Sequence, residues 1–131
     1  MLEKRALQVA VALGCLVPIG GGARGIWLGP QMAGAAGPAD LDSHFRYLSG
    51  LLLGIGLAYL TAIPRIEQYR LRFRILTAIV VVGGLGRLAS LVAMGTPSLI
   101  MTAALAMELI VTPALALWQH RIARLSIALR P

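Results

Sequence analysis

The chain has 131 residues, 58% of them hydrophobic and 13% charged, where soluble domains run at about 45–50% apolar and about 25% charged. With a mean hydropathy of +0.81, these values exclude an ordinary soluble enzyme and indicate a single integral membrane domain over residues 1–131. The net charge of +7 does not point to nucleic acid, because no aromatic-interleaved basic face or reading motif accompanies it.

The basic residues are placed as a membrane protein places them. Nine of the twelve fall in three groups: Lys4 and Arg5; Arg65, Arg70, Arg72 and Arg74; Arg121, Arg124 and Arg130. Each group flanks an apolar segment, the distribution expected of cytoplasmic ends.

The first apolar segment covers residues 6–28. A basic start followed by an apolar core is also the signature of a signal peptide, and Ala12-Leu13-Gly14-Cys15 loosely echoes a lipoprotein cleavage box. Leu13 is misplaced for that pattern, so we expect a retained helix, bent or loosened by Pro18 and Gly20-Gly21-Gly22. Cys15, the single cysteine, reads as a structural thiol. The Gly/Pro/Ala-rich stretch from Gly29 to Ser43 predicts a loop, with Asp42 or Ser43 as N-cap of the next helix.

The second segment, residues 44–63, matches the ~20 residues needed to cross hydrocarbon. Gly50 and Gly54 form a small-xxx-small pair that admits another helix. Pro64 ends this span and opens the basic loop. The third and fourth segments cover residues 73–94 and 99–118, joined by the turn Gly95-Thr96-Pro97-Ser98, with a kink expected at Thr112-Pro113. Tyr47 and Trp118 sit where interfacial aromatics belong. In the tail, Ile122, Leu125 and Leu129 alternate with Arg121, Arg124 and Arg130 at helical spacing. That pattern suits a short cytoplasmic helix on the membrane surface, or a continuation of the fourth helix. Four spans with both termini cytoplasmic satisfy the charge distribution; three spans without the first segment is the alternative.

Two charges lie deep in apolar sequence. Arg87 stands eight residues before Gly95, and Glu108 ten residues after Ser98, which places them about 12 and 15 Å below the turn. They can therefore meet between antiparallel helices. Arg46, entering from the same end of the second helix, is a candidate third member, leaving surplus positive charge. An ionisable group at this depth is by default a functional-site hypothesis. Arg46, Arg87 and Glu108 are thus either a structural ion pair that fixes register or a site for an anionic headgroup, carboxylate or phosphate. Asp42, His44, Ser49, Ser90 and Thr112 are the supporting polar residues.

Catalysis has thin support in the sequence. His44 and His120 are expected at opposite ends of the hydrocarbon, about 30 Å apart. No Cys/His/acid cluster has metal-ligand spacing, no Ser-His-acid arrangement is suggested, and no phosphate-cradling glycine loop precedes a lysine. The sequence leaves any cofactor unknown.

The run Asp42-Ser43-His44-Phe45-Arg46-Tyr47-Leu48-Ser49-Gly50 resembles a bacterial membrane family known as domain of unknown function 4345. So do Ile63-Pro64-Arg65-Ile66-Glu67, Gly83-Gly84-Leu85-Gly86-Arg87-Leu88, Gly95-Thr96-Pro97, Met107-Glu108-Leu109 through Pro113, and Trp118-Gln119. The resemblance covers roughly residues 5–124 and implies a small four-helix membrane protein without an assigned activity. Its plan is similar to the DoxX-like group, by analogy of architecture only. It also implies that Arg46, Arg87 and Glu108 occupy recurrent polar positions.

The expectation is therefore an all-α bundle of four transmembrane helices in a bacterial inner membrane. It binds a small amphiphile, lipid or anion in an outer-half polar pocket, or else serves as an accessory subunit of a larger membrane complex. Its expected partners are lipids, copies of itself or such a complex, and no nucleic acid.

Overall fold

The structure, a computed structural model, describes residues 2–128; Leu129 and Arg130 of the predicted tail pattern lie outside the described residues. It is all-helical, with no strand among the described residues. Helix α1 (Leu2–Leu28) leads through a 3-10 turn (Gly29–Ala33) to α2 (Ala39–Leu60). A second short 3-10 turn (Ile63–Arg65) precedes α3 (Arg70–Met94). The last rod is continuous: α4 (Leu99–Ala106), a π turn (Met107–Val111) and α5 (Thr112–Ala128).

Among the described residues three helices are long and apolar enough to cross a membrane: Leu2–Ala33, Arg70–Met94 and Leu99–Ser126. α2 has 22 residues, length enough for the hydrocarbon, but Asp40, Asp42, His44 and Arg46 crowd its first two turns and dilute its hydropathy. The segment set apart is thus the second, where the three-span alternative set apart the first.

The chain divides into two compact units, Gln8–Pro64 and the described residues on either side of it. In the first unit α1 and α2 run antiparallel, and glycines bring them together. A Cβ on Gly22 would lie 2.6 Å from the Leu53 nitrogen and 2.7 Å from the Ser49 oxygen, so only glycine permits that approach. Gly56 receives Pro18 and Ile19 in the same way. The pair expected to serve this purpose does not: a Cβ on Gly50 or Gly54 would have nothing within 4 Å. Helix spacing puts Ser49, Leu53 and Gly56 on one face, and that face meets α1.

Two other expectations shift. α1 continues through Pro18 and its glycine run without interruption. α2 begins at Ala39, ahead of Asp42, with Pro38 at the N-cap and no side-chain cap. Asp40 and Asp42 instead lie in the first turn, where negative charge complements the helix dipole.

In the second unit α3 packs against the last rod, the two joined through Gly95, whose φ of 88° suits glycine at a sharp turn. Phe73, Ile66, Leu7, Ile122 and Ala123 are buried. The tail is a continuation of α5 as far as Ala128, with Ile122 inside while Arg121 and Arg124 stay exposed. Of the periodic apolar residues Ile122 packs inside, while Leu125 is exposed.

Polar contacts gather the basic segments of this unit. Lys4 pairs with Glu67 at 2.9 Å, Arg121 with Glu3 at 3.5 Å, and Arg70 Nη2 lies 3.3 Å from His120 Nδ1. Gln119, buried, donates through Nε2 to the Ile66 carbonyl at 2.7 Å. The start of α1, the middle loop and the end of α5 therefore share one end of the unit.

Candidate functional site

The polar centre of the second unit is built on α3 and the π turn. Pro113 lacks an N–H, and its ring would clash with the carbonyl four residues back if the helix stayed regular. The chain widens into a π turn here. The Thr112 N–H reaches five residues back to the Met107 carbonyl, and Thr112 Oγ1 donates to the same oxygen at 2.9 Å. Thr112, expected to support the ligand site, closes this turn. Glu108 lies within the turn, in the kind of local bulge that recurs at functional sites.

Gly84 lets the turn come close. A Cβ there would meet Leu109 Cδ2 at 2.7 Å and Glu108 Cβ at 3.0 Å. One helical turn further along α3, Arg87 Nε donates to Glu108 Oε1 at 3.0 Å. The two residues counted to similar depth from the Gly95–Ser98 turn are thus in direct contact. Glu108 keeps 16% side-chain exposure and Arg87 37%. The pair is one-armed: Glu108 Oε2 is buried without a hydrogen-bond partner among the described residues.

Arg87 has more to give. Its guanidinium carries five N–H donors, of which Nε meets Glu108 and one on Nη1 meets the Met101 thioether sulfur at 3.2 Å. Thioether sulfur is a weak acceptor, and the remaining donors have no acceptor among the described residues. Beside the guanidinium is a cleft of about 180 Å³ lined by Arg87, Ser90, Pro97, Met101 and Leu105. Ser90, one turn beyond Arg87, is exposed. Ser49, Thr102, Thr112 and Ser126 return their hydroxyls to helix carbonyls; the Ser90 hydroxyl makes no such bond and remains available to the cleft. Met101 and Leu105 are expected beside Glu108 from helical spacing; Pro97 was not among the candidate site residues.

Arg46 is committed within the first unit. Its Nε and Nη2 donate to Asp42 Oδ2 and Oδ1 at 2.7 and 3.1 Å. Its Nη1 donates to the backbone carbonyls of Ile26 and of Trp27, the latter at 3.1 Å. It thereby fastens the end of α1 to the start of α2 and satisfies carbonyls that a helix end leaves open. Asp42 balances its charge within that unit. The hydrogen bond from Arg46, with its charge, holds the Asp42 carboxyl below its ordinary range. Ser49 donates to the Phe45 carbonyl at 2.8 Å and is buried against α1, a packing residue. His44 is exposed, with no hydrogen bond to a described residue. Among the described residues no group of three or more His, Cys, Asp or Glu side chains could hold a metal ion.

No curated protein and no solved structure matches the chain. A family model described as a domain of unknown function, DUF4345, matches residues 6–119. With that match spanning nearly its full length, the chain belongs to the DUF4345 family.

Proposed function

We propose that this is a non-enzymatic bacterial inner-membrane protein of four spans, with both termini cytoplasmic, that binds a small amphiphile, lipid or anion in its outer half. α2 supplies the fourth span, with His44 and Arg46 near the interface, where polar ends of long side chains reach water. The orientation is supported by the clustering of the N-terminal turn, the basic middle loop and the end of α5 at one end of their unit. That end carries the arginines expected on the cytoplasmic side.

One observation carries the binding reading: Arg87 donors and the Ser90 hydroxyl share an otherwise apolar cleft without acceptors of their own. Polar donors in hydrocarbon each cost several kcal/mol when unsatisfied, so a ligand oxygen there is strongly favoured. The apolar wall of Pro97, Met101 and Leu105 suits a hydrocarbon neighbour. The alternative, an accessory subunit of a larger complex, draws on Gly50 and Gly54, which face open space and could admit a helix of another chain.

Native mass spectrometry of the detergent-extracted protein tests both. Wild type is expected to carry a bound small molecule that Glu108→Gln and Ser90→Phe exchange or lose. Identical ligand profiles in all three proteins would contradict the binding reading. Release of the same partner proteins from each would favour the accessory reading.

A further inference from the structure

The charge balance at the cleft narrows the ligand. Arg87 and Glu108 are paired at 3.0 Å, so the site is already neutral before anything binds. A ligand bearing its own net charge would leave that charge uncompensated in hydrocarbon, and such charges are costly at membrane depth. The residues lining the cleft carry unsatisfied donors: the remaining N–H groups of Arg87 and the Ser90 hydroxyl. They call for acceptor oxygen, and the Met101 sulfur now opposite Nη1 is a poor substitute for it. A cleft of about 180 Å³ is below the ~300 Å³ at which pockets enclose a whole drug-sized ligand. It holds a headgroup, and the chain of the ligand lies outside along the bilayer.

Resting on the reading of this cleft as a ligand site, we infer that its occupant is an electrically neutral amphiphile whose headgroup presents a carbonyl oxygen to Arg87 and Ser90. A free anion is the wrong partner. The same chemistry is offered by a single-chain ester and by the ester groups of a glycerolipid. Glu108 sets the selectivity without touching the ligand: it cancels the Arg87 charge. Glu108→Gln keeps the size of the side chain and an acceptor for Arg87 Nε while leaving the guanidinium charge unbalanced.

The test is a titration read by native mass spectrometry with three probes: methyl palmitate, dioleoylglycerol and permanently ionised hexadecyl sulfonate. Wild type is expected to bind a neutral probe at least about tenfold more tightly than the sulfonate. Glu108→Gln is expected to reverse that order. Ser90→Ala, at an exposed position that folding does not depend on, is expected to weaken the neutral probe about fivefold. Binding of methyl palmitate alone identifies a single-chain ligand and binding of dioleoylglycerol a glycerolipid; either supports the inference. Tighter binding of the sulfonate to wild type overturns it while leaving the cleft a ligand site. If no probe binds wild type better than Ser90→Phe, whose side chain fills the cleft, the ligand-site reading itself fails.

Discussion

Arg87 gives Glu108 a single hydrogen bond, Nε to Oε1 at 3.0 Å, and the second carboxylate oxygen lies buried with no donor. A pair assembled only to fix register would gain most from a two-pronged contact, because the guanidinium fork matches a carboxylate. Here Nη1 goes instead to the Met101 sulfur, and Arg87, Ser90 and Met101 line one cleft. Removing either partner leaves an uncompensated charge, and breaking a buried pair costs about 3–5 kcal/mol. With Arg87 partly exposed, Arg87→Met and Glu108→Leu should each destabilise by about 1–3 kcal/mol, while the double variant should recover most of the loss. Thermal unfolding in one detergent checks this; additive losses in the double variant would contradict it.

The π turn follows from Pro113, which makes that residue a positioning residue for Glu108. With Pro113→Ala the missing donor returns, Thr112 can bond four residues back, and the preceding segment rotates by about 100° relative to α5. Glu108 should leave Arg87. A hydrophobic carbodiimide should then modify Glu108 readily in the variant and slowly in wild type, whereas equal rates would show that the turn has another cause.

Close approach of α1 and α2 depends on Gly22, not on the glycines that look like a packing motif. Gly22→Ala would drive a methyl into the Leu53 nitrogen and the Ser49 carbonyl, at a cost of about 1–3 kcal/mol for overpacking. Gly20→Ala and Gly50→Ala meet nothing within 4 Å and should be neutral or mildly stabilising, as alanine is the better helix former by about 1 kcal/mol. On α3, Gly84→Ala should lower stability and Gly83→Ala should not, since only the former meets Leu109 and Glu108. Unfolding temperatures of the five variants decide the matter.

Asp42 lies in the first turn of α2, ahead of the apolar stretch of residues 44–63, and its carboxyl is held low by the hydrogen bond from Arg46. A depressed carboxylate contributes stability that is present above its unfolded value, near 3.9, and is lost as pH falls through the lower folded value. The α1–α2 connection should therefore hold its strength at neutral pH and loosen only in strong acid. Carboxyl NMR titration should find Asp42 below the ordinary aspartate range in wild type and back within it in Arg46→Gln. An ordinary value in wild type would contradict the geometry.

Much of this was legible in the chain, and for physical reasons. Long uncharged runs define helices, and residue counting from the Gly95–Ser98 turn placed Arg87 and Glu108 at similar depth because helical rise is constant. Arg46 was harder. Its i,i+4 spacing from Asp42 signals an ion pair, but its bonds to the Ile26 and Trp27 carbonyls depend on how α1 ends. Pro113 announces a disturbance without saying whether the helix kinks or widens. Gly50 and Gly54 carry the pattern of close packing, yet which glycines face a neighbour is decided by tertiary contacts. Gln8 and Gln119, which donate to the carbonyls of Ile63 and Ile66, give no signal in sequence, because a lone glutamine has no distinctive spacing.

The most direct test of the binding site is photocrosslinking with a diazirine-bearing fatty ester, followed by peptide mapping. Adducts should concentrate on Ser90, Met101 and Leu105, diminish with excess methyl palmitate and disappear in Ser90→Phe. Adducts spread over the exposed residues Leu85, Val92 and Leu99, with no competition by the unlabelled ester, would show a helix surface bathed in lipid and contradict the site.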